Sequence, residues 1–333
     1  TVPESKVRPQ AKKKAQAKNR ATMDERRAEK KAAPVDRSWV PKVFVPLFLL
    51  GVLWLIVYYI AGNQIPGISN LGDWNILIGM GLMAGLLSLM FASLLGSQNA
   101  TDPNDPGAGN PFARMTPGTA QIIYSAGIQF SLTTLVPLAL GVMLITNEYR
   151  HKTISSTFLA TPNRWVVLIS KMIALVPLGV VFGVVHNVAS VGLASLVIKS
   201  KGEPLLLGDP EVLKTMALVV LANTVWMLLG FGFGMLVRNQ VAAVMSAVGA
   251  AFVLHIALNL FFSARGWETA AKFLPGNLTS GMLVTSDPMA GQQTTSGAAS
   301  PYFNWWQSSL TLLAYAVVLA GIGAFLTTRR DVS

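Results

Sequence analysis

Seven times in its 333 residues this chain runs for about 20 positions, enough to cross a bilayer, with at most one Lys or Arg and no acid. The runs are Val43–Ala61, Trp74–Leu95, about Thr119–Asn147, about Trp165–Ile198, roughly Val212–Val237, Val241–Phe262 and about Trp305–Thr327. The backbone of such a run cannot leave its amide groups unpaired in hydrocarbon, so each reads as a helix. Only 12% of the residues are charged, about half the soluble average, and the mean hydropathy is +0.50. The expected fold class is therefore an all-α integral membrane protein. It is a helical bundle of six to seven transmembrane helices preceded by a disordered basic N-terminal tail. The fourth run holds Pro177 and several glycines, which suits a tilt or a break. Gly230, Gly232 and Gly234 suit close helix packing, as does ordinary glycine usage in membranes.

Charge is concentrated at the start. Residues 1–42 carry 13 Lys/Arg against five acids, a net +8, and one aromatic, Trp39. Such a segment cannot bury a core. It reads either as a polybasic arm on anionic lipids, each basic residue near the surface contributing about 1 kcal/mol, or as a signal that only fixes orientation. Nucleic acid is not an expected partner, since no aromatic platform accompanies the charge. The first apolar run begins at Val43, further in than a cleavable signal peptide would place it.

Several chemistries lack their residues. There is no Cys, so thiolate nucleophiles and thiolate metal sites are excluded. His151, His186 and His255 are too far apart for a ligand spacing, and no metal site is expected. No paired carboxylates or Ser/His/Asp set occurs, so no catalytic residue is assigned and no enzyme is expected. No GxxxxGKS or GxxxxGKT segment exists to cradle phosphates. Polar groups inside the apolar runs are few: His186 with Asn187 in the fourth, and His255 with Asn259 in the sixth. Such groups line a pathway or close an interhelical hydrogen bond; for His255 the hydrogen bond is the expected role.

Lys and Arg near helix ends mark the cytoplasmic side. Arg150, Lys152, Arg164 and Lys171 place the 148–164 loop inside, Arg238 the following hairpin, and Arg329 and Arg330 the C-terminus. Loops 96–118, 199–211 and 263–304 then lie outside as polar linkers, although Lys199 and Lys201 dissent.

Two resemblances follow. From about Met90 to Ser333 the chain resembles the membrane subunit of ABC-2 type transporters. The resemblance is carried by Asn147–Trp165 (NEYRHKTISSTFLATPNRW), Lys171, the hairpins that follow and the Arg329-Arg330-Asp331-Val332-Ser333 ending. Thr153–Ala160 is a short helix-capable run, and Thr161-Pro162 reads as the cap and first-turn proline of the next helix. The resemblance implies an export permease that pairs with a homologous or identical permease subunit. It would couple to a separate ABC ATPase, which binds ATP and Mg, through Glu148, Tyr149, Arg150, Lys152, Thr153, Phe158, Pro162 and Arg164. His186, Asn187 and Asn259 are candidates for the pathway.

Residues 1 to about 89 resemble the actinobacterial cell-division family CrgA instead. The matching residues are Lys6-Val7-Arg8, Trp54-Leu55-Ile56, and above all Gln64, Pro66, Leu71, Gly72, Trp74 and Asn75 within QIP…LGDWN. The resemblance implies a non-enzymatic two-span scaffold whose partners are divisome and septal peptidoglycan-synthesis proteins. The expected organisation is a basic cytoplasmic tail over 1–42, a CrgA-like two-helix segment over 43–89 and an ABC-2 type domain over 90–333. The expected location is the bacterial plasma membrane, multi-pass, with both termini cytoplasmic.

These expectations collide in one place. A tail inside and loop 148–164 inside need an even number of crossings between them, yet three runs intervene. Span two is spliced from both families, one apolar run does not cross, or the sequence is a composite of two proteins. The simplest repair makes 43–61 and 74–95 one net crossing. With Pro46 and the Trp54/Tyr58/Tyr59 set, 43–61 suits the interface.

Overall fold

The structure is a computed structural model that describes residues 72, 74–96, 112, 114–126, 133–161, 163–237, 239–283 and 302–329. All of them belong to the second of two units, which starts at Phe44. The basic tail, the 43–61 run, Gln64, Pro66, Leu71, Pro162 and Arg238 lie outside the described residues. Among the described residues there is no strand.

The helices are α1 (Trp74–Ser93), α2 (Pro117–Tyr124), α3 (Leu135–Arg150), α4 (Thr153–Ala160), α5 (Arg164–Ser200), α6 (Pro210–Leu236) and α7 (Gln240–Val248). A π-helical stretch, Gly249–Leu254, joins α7 to α8 (His255–Ala264). The short α9 (Glu268–Ala271), α10 (Pro275–Leu283) and α11 (Trp305–Arg329) follow. Five spans among the described residues are long and apolar enough to cross a membrane: α1, α5, α6, the α7–α8 rod and α11.

Three expectations are corrected. The run at 119–147 is not one helix. α2 ends at Tyr124, Ser125 bonds back to Gln121, and α3 begins only at Leu135. Of the tilt or break expected at Pro177, the break does not occur, since α5 is continuous for 37 residues. Segment 263–304 is not merely a linker, because α10 inserts a buried face of Leu278, Thr279, Met282 and Leu283.

Helix α6 is the axis of the bundle. Trp226 is buried and its Nε1 donates to Thr279 Oγ1 of α10 at 3.0 Å. Close approaches fix the register of its neighbours. Gly230 lies against Leu138, and Gly234 against Val142 and Ile145, so α3 runs parallel to α6. Gly179 faces Thr224 and Gly183 faces Val220, so α5 runs antiparallel to it. Gly232 meets Ala316 and Ala320 while Gly323 meets Met235, so α11 is parallel again.

Helix α1 belongs to the same bundle. Gly81 abuts Val185 and Gly85 abuts Ala189 and Leu193, positions that rise together, so α1 and α5 are parallel. Beyond them Lys201 Nζ donates to the carbonyls of Ser93, at 2.7 Å, and Leu95. A cation there satisfies orphan carbonyls and the negative end of the helix dipole. The lysine that dissents from the charge rule thus has a structural use. Lys201→Met should lower stability by about 1 kcal/mol, read as a drop in the thermal midpoint of the purified chain. The Lys201→Arg variant should keep most of it.

The directions collect the ends. Trp74, Arg150, the start of α5, Leu236 and the end of α11 lie at one end of the bundle. Ser93, Ser200, Pro210 and Trp305 lie at the other. There Tyr124 donates to the Leu205 carbonyl at 2.7 Å and Gly96 N donates to the Phe112 carbonyl.

Candidate functional site

The end that holds Trp74 also gathers the charged exit of α3. Glu148 and Lys171, each 25% exposed, form an ion pair in which Lys171 Nζ donates to Glu148 Oε1. The other carboxylate oxygen, Oε2, is buried and has no hydrogen-bond partner among the described residues. Arg150 Nη1 donates to Gln240 Oε1 at 3.1 Å and ties the α3 exit to the start of α7. Tyr149 packs on the main core.

Helix α4 spans Thr153–Ala160, the bounds expected from the sequence. Lys152, at φ 56°, makes the turn into it. Ile154 anchors one side in the core at 2% exposure, while Thr153 and Leu159 face outward, Leu159 at 86%. The cap of α5 is Asn163, whose Oδ1 accepts from Trp165 N at 3.2 Å, and not Thr161, which closes α4. The side chains of Phe158 and Arg164 lie outside the described residues, as does Pro162. Of the expected coupling residues, Glu148, Tyr149, Arg150, Lys152 and Thr153 therefore share one end of the bundle.

A cleft of about 470 Å³ opens at this end between α1, α3 and α5. Trp74, Leu77, Leu140, Asn147 and Phe182 are among its walls. Sequence reading missed the cleft, because it joins Trp74 to Asn147, 73 positions away. The local reason for Trp74's position is a helix start. Gly72 sits at φ +50°, and buried Asn75 turns its Nδ2 back to the Gly72 carbonyl at 2.8 Å. A residue with a Cβ resists the left-handed conformation by roughly 1–2 kcal/mol. Gly72→Val should therefore cost about that much, and Gly72→Asn less, in chemical denaturation of the purified chain.

The expected pathway residues do not converge. His186 is fully buried, its Nε2 3.3 Å from the Ala126 carbonyl and its Nδ1 3.5 Å from Ser190 Oγ. Asn187 Nδ2 donates to the Met216 carbonyl at 2.9 Å. Asn259 Nδ2 donates to Asn277 Oδ1 at 3.2 Å. The hydrogen bond expected of His255 belongs instead to Asn259, and His255 Nδ1 is buried with no partner. No group of His, Asp and Glu among the described residues could hold a metal.

Comparison with known proteins decides the relationship of the first part. The family model described as cell division protein CrgA matches residues 2–92. The chain is 48% identical over 54 residues to the cell division protein CrgA of Corynebacterium aurimucosum, covering 16% of this chain and 59% of the relative. It is 33% identical over 75 residues to that of Bifidobacterium longum, covering 22% of this chain and 73% of the relative. To that of Tropheryma whipplei it is 31% identical over 52 residues, covering 16% and 74%. The chain belongs to the CrgA family. The CrgA match ends at residue 92, and α1 ends at Ser93. The chain spans just under three fifths of the Corynebacterium relatives' length. No solved structure matches it.

Proposed function

We propose that this chain is a membrane scaffold of cell division, without chemistry of its own, that gathers divisome and septal peptidoglycan-synthesis partners. The CrgA match over residues 2–92 carries this reading. The seating of α1 on α5 supports it, since a helix beyond the matched residues then holds the second CrgA-like apolar run. The chain sits multi-pass in the bacterial plasma membrane. The Trp74 end, with loop 148–164, the N-terminal tail and the C-terminus, faces the cytoplasm. The net +8 of residues 1–42 draws the tail to anionic lipids. Removing residues 1–31 should reduce septal enrichment of a fluorescent fusion and weaken binding to anionic vesicles. The loss should be smaller at high salt, because exposed charges are screened within about 8 Å at physiological ionic strength. Localisation indifferent to the truncation would leave the tail as an orientation signal alone.

A second reading rests on a different observation. The α3 exit presents Glu148, Arg150 and Lys171 beside an outward-facing α4, an arrangement suited to a protein docked on that end. In this reading residues 90–333 act as the permease subunit of an ABC-2 type exporter. They pair with a like or identical permease subunit and engage a separate ATPase that binds ATP and Mg. Co-purification of an ATPase that depends on Glu148 and Arg150 supports it. A septal complex without any ATPase sinks it.

A further inference from the structure

The cleft at the Trp74 end is polar at its mouth and apolar below. Among its described walls only Trp74 and Asn147 carry a side-chain nitrogen or oxygen. Both stand at the same end of the bundle: Trp74 opens α1, and Asn147 lies one turn short of the end of α3 at Arg150. Leu140, on the same wall, is about 10 Å further along α3 toward the middle of the bundle. Leu77, Met143 and Phe182 continue the apolar surface. A tryptophan at the mouth suits the membrane interface, where its ring meets hydrocarbon and its N–H meets polar groups.

Asn147 is reachable, because it is only partly buried, and its side chain has no hydrogen-bond partner among the described residues. The amide is neutral and offers two N–H donors. The charged neighbours are engaged elsewhere, Lys171 with Glu148 and Arg150 with Gln240. What this mouth selects is therefore an acceptor oxygen rather than a charge. The volume narrows the occupant further. At about 470 Å³ the cleft is about three times an engineered cavity that takes up benzene, room for roughly 18 carbon atoms. A partner helix, about 10–12 Å across, would need roughly 800 Å³ over the same 10 Å and does not fit.

We infer that this cleft binds one diacyl glycerolipid, with Asn147 Nδ2 donating to a glycerol ester carbonyl at the mouth and the upper carbons of both acyl chains filling the apolar part. The ester level of a lipid is where hydrocarbon gives way to polar atoms, and the cleft makes the same change between Leu140 and Asn147. The inference stands beside the proposed function and does not depend on it.

The test uses the purified full chain, stripped of lipid in detergent. It is offered equal amounts of dipalmitoyl phosphatidylglycerol and its dihexadecyl ether analogue, which keeps the head and chain length but lacks the ester carbonyls. Native mass spectrometry reads the lipid retained. One lipid should stay on each chain, with ester preferred over ether about fivefold, the yield of one net hydrogen bond. Phosphatidylcholine in both forms should show the same preference. Asn147→Leu should abolish the preference while lipid still binds. Val181→Trp, on a partly exposed wall of the cleft, should cut retention about tenfold by occupying the space. Ile169→Trp, on an exposed face of α5, should not. If Val181→Trp proves poorly folded, the Asn147→Leu comparison carries the test. Equal retention of ester and ether by the wild type overturns the inference. So does retention unchanged in a folded Val181→Trp chain, which is ordinary lipid on the surface. A disulfide between Trp54→Cys and Leu144→Cys with no lipid retained would give the cleft to residues 44–61 and overturn it as well.

Discussion

Replacing Gly141 and Gly230 together by valine should leave little folded protein in the membrane. A Cβ on Gly141 would sit 2.0 Å from the Met227 carbonyl oxygen, and one on Gly230 would sit 2.0 Å from the Leu138 carbonyl oxygen. Both obstacles are backbone, so neither helix can yield by turning a side chain. Overpacking a core commonly costs about 1–3 kcal/mol per site, and two sites on one α3–α6 contact compound it. Each single variant should lower the thermal midpoint, and the pair should fall further. Gly192→Ala and Gly249→Ala are the controls. Nothing lies within 4 Å of either new Cβ, and a helical Gly→Ala change should leave stability equal or slightly higher.

Charge reversal at Glu148 should have the largest functional effect. Glu148→Lys places two ammonium groups where an ion pair now sits. If this end docks an ATPase, hydrolysis should continue without coupling to transport. Lys171→Glu alone should do the same, and the double swap should restore most of the coupling, because it rebuilds the pair in reverse. Loss of folded protein in both singles, rescued in the double, would instead make the pair purely structural. Removing one partner of a part-buried pair costs roughly 1–3 kcal/mol, so yield and thermal midpoint must accompany the coupling assay. Coupling unchanged in all three variants counts against the transporter reading.

How much of this was legible depended on whether a feature was local. Thr153–Ala160 was readable because the charged exit Glu148–Lys152 before it and Thr161-Pro162 after it leave room for one short helix, although most of its residues are weak helix formers. Helices α1, α5, α6 and α11 were readable because hydropathy measures composition over a window of their own length. The end of α2 at Tyr124 was not. Residues 125–134, SAGIQFSLTT, contain no Pro and no charge, so their composition fits a continuous span. Helix α10 was hidden for the opposite reason: nine residues inside a polar segment are too few to register as a membrane element. Lys201 shows the limit of counting charges, since its ammonium is spent on the α1 carbonyls. The cleft at Trp74 and the unpaired nitrogen of His255 arise from contacts distant in the chain, and no local pattern announces them.

The parallel packing of α1 on α5 binds the two resemblances to one orientation. The CrgA resemblance implies an α1 that enters from the outer face, whereas the charges of loop 148–164 place the Trp74 end inside. Both cannot hold in one bundle. The positive-inside rule favours the second, the orientation proposed above. The absence of native cysteines makes this directly measurable with Trp74→Cys, Thr153→Cys and Ser200→Cys in intact cells, using a thiol reagent that does not cross the membrane. The account predicts Ser200→Cys labelled from outside, and Trp74→Cys and Thr153→Cys labelled only after the cells are opened. Trp74→Cys labelled from outside while Thr153→Cys is protected would contradict it, because α1 could not then lie parallel to α5.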